Sequence, residues 1–367
     1  MLRAAHLITL SIALVLLVSG CVQQQTDTVK IGAVLPLTGS VSVYGEYARN
    51  GIDLALEDLN ASGKKIEVVI EDSKGLPSEG VTAFHKLAAD NGIKAIISMT
   101  SSVSVPLVPL AEEKKIPLIM TVVAASNVTD KSVWAYRYFH SADLEGPALA
   151  KLVITYLNVT KIAILYVNDE YGGSTYRAFK NTCESLGCTI TAQETFLFAD
   201  TDYRTQLLKI ADSKPDAIFI VGFSQHLPTI YKQSKELGME QTLITTSGMS
   251  VPAIINKTGS AAENSYLTVS YYSANPDDPG VKRFNDRYRS RFGTEPSYFA
   301  AYIYDSVMMI AESMKNGTSR ENIKNSLAKI SYSGLMGNAS FLENRDANMP
   351  VFYAAIRNGT LVPIKQV

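Results

Sequence analysis

Short runs rich in β-branched residues alternate along this chain with stretches whose apolar positions recur at helical spacing. The run "VKIGAVLPL" predicts a buried strand over 29–37. "VYGEYARNGIDLALEDLNASG" follows, with apolar Ile52, Leu54, Ala55, Leu56 and Leu59 and a stop at Gly63, and predicts a helix. "KIEVVIEDS" predicts a strand, 78–91 a helix, "KAIISM" a strand, 103–115 a helix and "IPLIMTVV" a strand. That βαβαβαβ order is the signature of a parallel sheet covered on both faces. The pattern restarts after "SADLEGPALAKL", with helices over 146–157, 173–186, 203–212 and 227–237. Interleaved with them are the strands "KIAILYV", "TITAQETF", "AIFIVGF" and "QTLITTS". Two α/β units of similar size therefore stand in tandem. The tail does not begin a third. After the strand "SYLTVSYYS" come helices over 280–292, 297–315 and 320–329, then the strands "VFYAAIRNG" and "LVPIKQV". Three helices without intervening strands predict that the chain returns to complete an earlier lobe.

The N-terminus has a different grammar. Arg3 precedes an apolar core from Leu7 to Val18, broken only by Thr9 and Ser11. About 12 residues is too short for a stable span, which needs roughly 20. A charged start, a short apolar core and small residues at a cut site predict a secretory signal peptide over 1–20. Leu17-Val18-Ser19-Gly20-Cys21 resembles the lipobox of prokaryotic lipoproteins, which implies Cys21 as a lipidated N-terminus and 21–28 as a polar tether. The remaining length of about 347 residues exceeds what one hydrophobic core usually serves, in keeping with two lobes.

Hydrophobic and charged contents of 46% and 19% are those of a globular protein, and no later segment is apolar enough for a second span. A net charge of −1 without a Lys/Arg block argues against a nucleic-acid surface. Cys183 and Cys188, in "NTCESLGCTI", are either a short-loop disulfide formed outside the cytoplasm or two unpaired thiols. Seven Asn-X-Ser/Thr sequons (Asn60, Asn127, Asn158, Asn256, Asn316, Asn338 and Asn358) exceed the about three expected by chance and fit an N-glycosylated envelope.

The stretch "KIGAVLPLTGSVSVYGEYARNGIDLALEDLNASG", with the strand ending in "EDS", resembles the opening of the periplasmic binding proteins for branched-chain amino acids. The similarity continues through "SMTSSVSVPLVPLAEEKKIPLIMT", "VNDEYGGSTYRAF", "PDAIFIVGF" and "EPSYFAAYIYDSVMMI". It implies the type I periplasmic binding protein fold, an α/β architecture of two Rossmann-like lobes with parallel-rich sheets joined by three crossovers. The crossovers fall near Ala142–Glu145, Ser270–Ser273 and Asn344–Asn348. Lobe 1 would comprise 29–143 and 272–345, and lobe 2 144–271 and 346–367.

Ligands of open parallel sheets bind beyond the carboxyl ends of the strands. The residues to weigh are those just past each predicted strand. Ser101 and Ser102 follow "KAIISM"; either can be a helix cap, and Ser101 matches the family's carboxylate-binding serine. In "MTVVAASN" the family offers a backbone carbonyl and a hydroxyl. An ungapped match places Val122 and Ala124 there, and a small shift brings in Ser126. Tyr44 matches an aromatic that walls the side-chain pocket, and Tyr171 and Phe223 match aromatics of the second lobe. Phe299 reads as a weaker candidate, better suited to the core. After "QTLITT" the amino-acid binders carry a carboxylate for the ligand's ammonium, and here that position is Ser247, followed by Gly248. Burying an ammonium without a counter-charge costs several kcal/mol. A zwitterionic ligand therefore requires another acid, for which Asp169, Glu170 and Asp305 stand as candidates, Asp305 being better suited to holding structure in its "YIYDSV" helix.

His85, His140 and His226 are scattered, and His226 reads as a solvent-facing residue at a helix start that could still touch ligand. The chain contains no HExxH, G-x-S-x-G, P-loop or G-x-G-x-x-G pattern, so no enzyme and no cofactor are expected. The expectation is a monomeric binder tethered at the outer face of the cell membrane. It would hand an amino acid or small carboxylate to the membrane subunits of an ABC transporter. Aromatic carboxylates or short amides, and a sensing role, are the alternatives.

Overall fold

The computed structural model describes residues 28–364. The expected signal peptide, Cys21, most of the expected tether and the last three residues of the predicted strand "LVPIKQV" lie outside them. Strands β1 (Val29–Leu35), β2 (Ile66–Asp72), β3 (Ile93–Met99), β4 (Leu118–Thr121) and β5 (Ala135–Tyr138) form an all-parallel sheet in the order β2-β1-β3-β4-β5. Strands β6 (Lys161–Val167), β7 (Thr189–Phe196), β8 (Ala217–Val221), β9 (Thr242–Thr245) and β10 (Tyr266–Val269) belong to a second sheet. A separate hairpin, β11 (Ser331–Gly334) and β12 (Gly337–Ser340), precedes β13 (Phe352–Arg357) and β14 (Thr360–Ile364). The second sheet runs β14-β13-β10-β9-β8-β6-β7, parallel from β10 to β7 and antiparallel at β13 and β14.

The two lobes are α/β and parallel-rich, as the residue pattern predicts. β3, β4 and β8 are almost wholly buried because helices cover both faces of each sheet. The helix Ser42–Ala61 buries Tyr44, Tyr47, Ala48, Gly51, Ile52, Ala55 and Leu59, a stripe at three- and four-residue spacing. Against it lie the tail helices Pro279–Phe292 and Tyr298–Ser313, which complete this lobe. Asn50 Nδ2 donates to the Tyr288 hydroxyl at 2.8 Å, and Arg287 Nη1 meets Asp58 Oδ1 at 2.7 Å. The helices approach so closely that a Cβ on Gly51 would sit 2.3 Å from the Ala300 carbonyl oxygen. The chain passes between the sheets three times, after β5, after β10 and after β12.

The structure departs from the sequence pattern at identifiable places. β5 escapes the pattern because it is four residues long and contains Arg137, which reads as a surface charge yet is 1% exposed. The helix predicted over 103–115 is two pieces, Ser101–Ser104 and Leu107–Lys114, separated at Pro106, whose missing N–H cannot continue the ladder. The helix predicted to start at Gly146 starts at Ala142, where Ser141 Oγ accepts the Leu144 N–H at 3.2 Å. A further helix, Pro252–Thr258, and the β11–β12 hairpin add to the predicted elements. Cys183 and Cys188 are bonded, their Cα atoms 5.3 Å apart, and Gly187 takes the left-handed turn (φ 91°) between them. No helix of the described residues is long and apolar enough to cross a membrane.

Candidate ligand-binding cleft

In each sheet the strand order reverses at one point, between β1 and β3 in the first and between β6 and β8 in the second. Loops leave such a point in opposite directions, and the crevice they open is where α/β sheets hold ligands. The two crevices face each other. Tyr44 follows β1 and Ser101 follows β3; Tyr171 follows β6 and Phe223 follows β8. Together with Val122 past β4 and Ser247 past β9, these six line one cavity. It holds about 400 Å³ of space between atoms, a narrow slot between the lobes.

Cross-lobe hydrogen bonds beside the slot fit this closed arrangement. The Ser224 N–H donates to the Tyr44 hydroxyl at 2.8 Å, and the Ser126 N–H donates to Ser174 Oγ at 3.3 Å. Burial pushes the Tyr44 hydroxyl up to about 12, so it is a neutral donor and acceptor at any working pH. Its ring lies 4.1 Å from that of Phe299 and 6.5 Å from that of Phe223, and Tyr171 lies 5.3 Å from Phe223. This aromatic wall supplies the apolar body of the slot.

At its polar end, Ser101 Oγ accepts the N–H groups of Ala124 (3.1 Å) and Ala125 (3.3 Å). With its lone pairs engaged, its O–H remains as a donor for an acceptor in the slot. The neighbouring backbone is unusual. Thr100 (φ 71°) and Val122 (φ 55°) are β-branched residues in the left-handed half of conformational space, at the ends of adjacent strands. Such conformations cost of order 1–3 kcal/mol each and gather at ligand sites.

Ser102 and Ser126, expected to contact ligand, do not line the slot. Ser102 is half-buried one residue on from Ser101, and a step of one residue turns a helical side chain by about 100°. The Ser126 hydroxyl instead donates to Asp143 Oδ1 at 2.8 Å. Phe299, read as core, lines the slot with Tyr298.

A profile of the periplasmic binding proteins matches residues 28–360. The chain belongs to the periplasmic binding protein family. It is of type I, in the branched-chain amino acid transporter group, and its family is one of solute binders rather than enzymes, working outside the cytoplasm. It is 24% identical over 328 residues to the leucine-, isoleucine-, valine-, threonine- and alanine-binding protein of Pseudomonas aeruginosa, with 87% of each chain covered. Among solved structures it resembles the LivJ substrate-binding protein of Streptococcus pneumoniae in complex with isoleucine. That likeness has 26% identity and a TM-score of 0.84, covering 92% of this chain and all of that one. A solute-binding protein of Rhodopseudomonas palustris in complex with 3,4-dihydroxybenzoic acid shares the fold at 22% identity and a TM-score of 0.85, with 92% and 96% covered.

None of the three acids proposed to replace the carboxylate at Ser247 lines the binding protein's slot. Asp169 Oδ1 caps its helix by accepting the Gly172 N–H at 2.8 Å, and burial pushes its carboxyl up to about 6. Glu170 is exposed. Asp305 is buried and accepts the Leu335 and Met336 N–H groups and the Tyr138 and Tyr332 hydroxyls, which pins the β11–β12 hairpin. The lining acid is Glu145, in the first turn of the helix Ala142–Lys151 and 1% exposed. Burial pushes its carboxyl up to about 7, against the pull of hydrogen bonds from Thr268 Oγ1 and the Ser247 N–H. His226 is buried rather than solvent-facing; its Nε2 meets the Phe198 carbonyl at 3.0 Å, and burial lowers it to about 4.

Proposed function

We propose that this protein captures a small solute bearing a carboxylate between its lobes and delivers it to an ABC-type permease from a lipid anchor at Cys21. The closed slot, with a free hydroxyl donor at Ser101 and aromatic walls from both lobes, carries this reading. Lobe boundaries at 143/144, 271/272 and 345/346 are part of the same proposal. The first lobe holds the polar end of the solute. Tyr171, Phe223 and Ser247 of the second then close over it, and contacts made only in the closed form shift the population toward it. The bound ligands of the Streptococcus and Rhodopseudomonas relatives, an amino acid and an aromatic carboxylate, both carry the acceptor end that this slot would bind.

A thermal-shift panel of amino acids, aromatic carboxylates and short amides tests the reading. A ligand at a hundred times its dissociation constant adds about 2.7 kcal/mol of stability. Ser101→Ala should weaken whichever carboxylate binds by about 1–3 kcal/mol. Undiminished affinity in that variant would reduce Ser101 to a structural clamp on the Ala124–Ala125 loop. Cys21→Ala should move the protein from the membrane to the soluble fraction of cells, and persistent membrane retention would remove the anchor from the proposal.

A further inference from the structure

We infer that Glu145 is the counter-charge for a ligand ammonium, and that the slot therefore takes a zwitterionic α-amino acid with its carboxylate toward Ser101 and its ammonium at Glu145. This inference rests on the reading of the slot as a small-carboxylate site. Among the described residues, Glu145 contributes the only carboxyl to the slot's lining, in which there is no Lys, Arg or His. The carboxyl has no Lys, Arg or His partner among the described residues, and Thr268 Oγ1 is its side-chain hydrogen-bond donor. A buried carboxylate without a cation is costly. Facing a ligand cavity, that cost is removed when the cation arrives with the ligand.

The carboxyl is also held in place. Its helix packs against Glu170–Ser185 so closely that a Cβ on the adjacent Gly146 would lie 2.7 Å from the Phe179 nitrogen. Thr268, on β10 in the middle of the second sheet, fixes the carboxyl from below. The titratable groups acting on it are the tyrosines 171, 298 and 302, each pushed upward by burial and so neutral. Among the described residues, no positive charge in the slot's lining competes with an incoming ammonium. Ser101 and Glu145 enter the slot from opposite lobes, so one zwitterion would bridge them and favour closure.

The deciding experiment measures, by calorimetry at pH 8, binding of L-leucine, L-valine and L-alanine and of their matched des-amino acids 4-methylpentanoate, 3-methylbutanoate and propanoate, with benzoate alongside. At least one amino acid should bind, about 100-fold or more tighter than its des-amino partner, because truncating one side of a buried charge pair costs that much. Glu145→Gln should lose a similar factor for the amino acid without weakening benzoate, whose anion gains from removal of a negative charge, while Glu145→Asp keeps part of the amino-acid affinity. The wild-type comparison stands even if a variant folds poorly. Equal affinity for an amino acid and its des-amino partner, or full amino-acid binding by a folded Glu145→Gln, overturns the inference. Binding of benzoate or the alkanoates alone overturns it too but leaves the carboxylate reading intact. No binding by any of the seven overturns both.

Discussion

Asp346→Ala should lower the unfolding free energy by about 3–5 kcal/mol, because it strands the buried Arg137 guanidinium without its partner. Arg137 is 1% exposed and meets Asp346 through two bonds, Nε to Oδ1 at 2.8 Å and Nη2 to Oδ2 at 2.6 Å. Thr129 Oγ1 adds a third bond to the same carboxylate at 2.8 Å. The backbone is stitched there as well: the Arg137 N–H donates to the Arg345 carbonyl, and the Ala347 N–H to the Arg137 carbonyl. The third inter-lobe passage is thus clamped onto the edge strand β5. The other end of the guanidinium donates to the Ala125 carbonyl, in the loop whose N–H groups hold Ser101. Chemical denaturation followed by circular dichroism checks the prediction. The double variant Arg137→Met with Asp346→Leu should lose much less than the single one, since an apolar pair removes both charges together. A loss below about 1 kcal/mol for Asp346→Ala would show that water reaches the guanidinium and that the clamp contributes little.

The parts of this protein that can be read from its sequence are those where local chemistry and tertiary context agree. β1, β6 and β8 follow from apolar β-branched runs, and Tyr44, Ser101, Tyr171, Phe223 and Ser247 could be marked by their similarity to the family's binding positions near strand ends. What could not be read depends on partners distant in sequence. β5 hides behind Arg137, whose burial makes sense only with Asp346, 209 residues away. Glu145 lies in "SADLEGPAL", just before the helix expected from Gly146 and within the stretch that the family resemblance marks as a crossover. In fact the Ser141 cap starts the helix at Ala142, with Glu145 in its first turn at the slot. Ser141 directly before a turn that holds Asp143 and Glu145 was the available signal, a capping residue followed by acids in the first turn. Asp305 shows the converse: an acid in an apolar helix reads as better suited to holding structure, and four donors brought by β5 and the β11–β12 hairpin engage it.

If Glu145 receives a ligand ammonium, amino-acid affinity should fall about tenfold for each pH unit below about 7, reaching about 100-fold between pH 7 and pH 5. The sign follows from the proton. Burial pushes the ligand-free carboxyl up to about 7, so below that pH the empty slot holds a neutral acid. An ammonium needs the carboxylate, and binding must expel that proton. Stability of the empty protein moves the other way. The folded value lies above the ordinary 4.5, so this group's contribution is fully present below about 4.5 and is lost as pH rises through about 7. Asp169 and Asp305, both raised to about 6 by burial, tilt the empty protein in the same direction. They lie outside the slot and cancel when liganded and empty melting temperatures are subtracted. The buried His140 and His226, lowered to about 4, stay neutral across the range. The ligand-induced rise in melting temperature should therefore grow from pH 5 to pH 8 in the wild type and stay flat in Glu145→Gln at saturating amino acid. A flat wild-type profile would mean that amino-acid binding displaces no proton from this carboxyl between pH 5 and pH 8, against the pH dependence expected here.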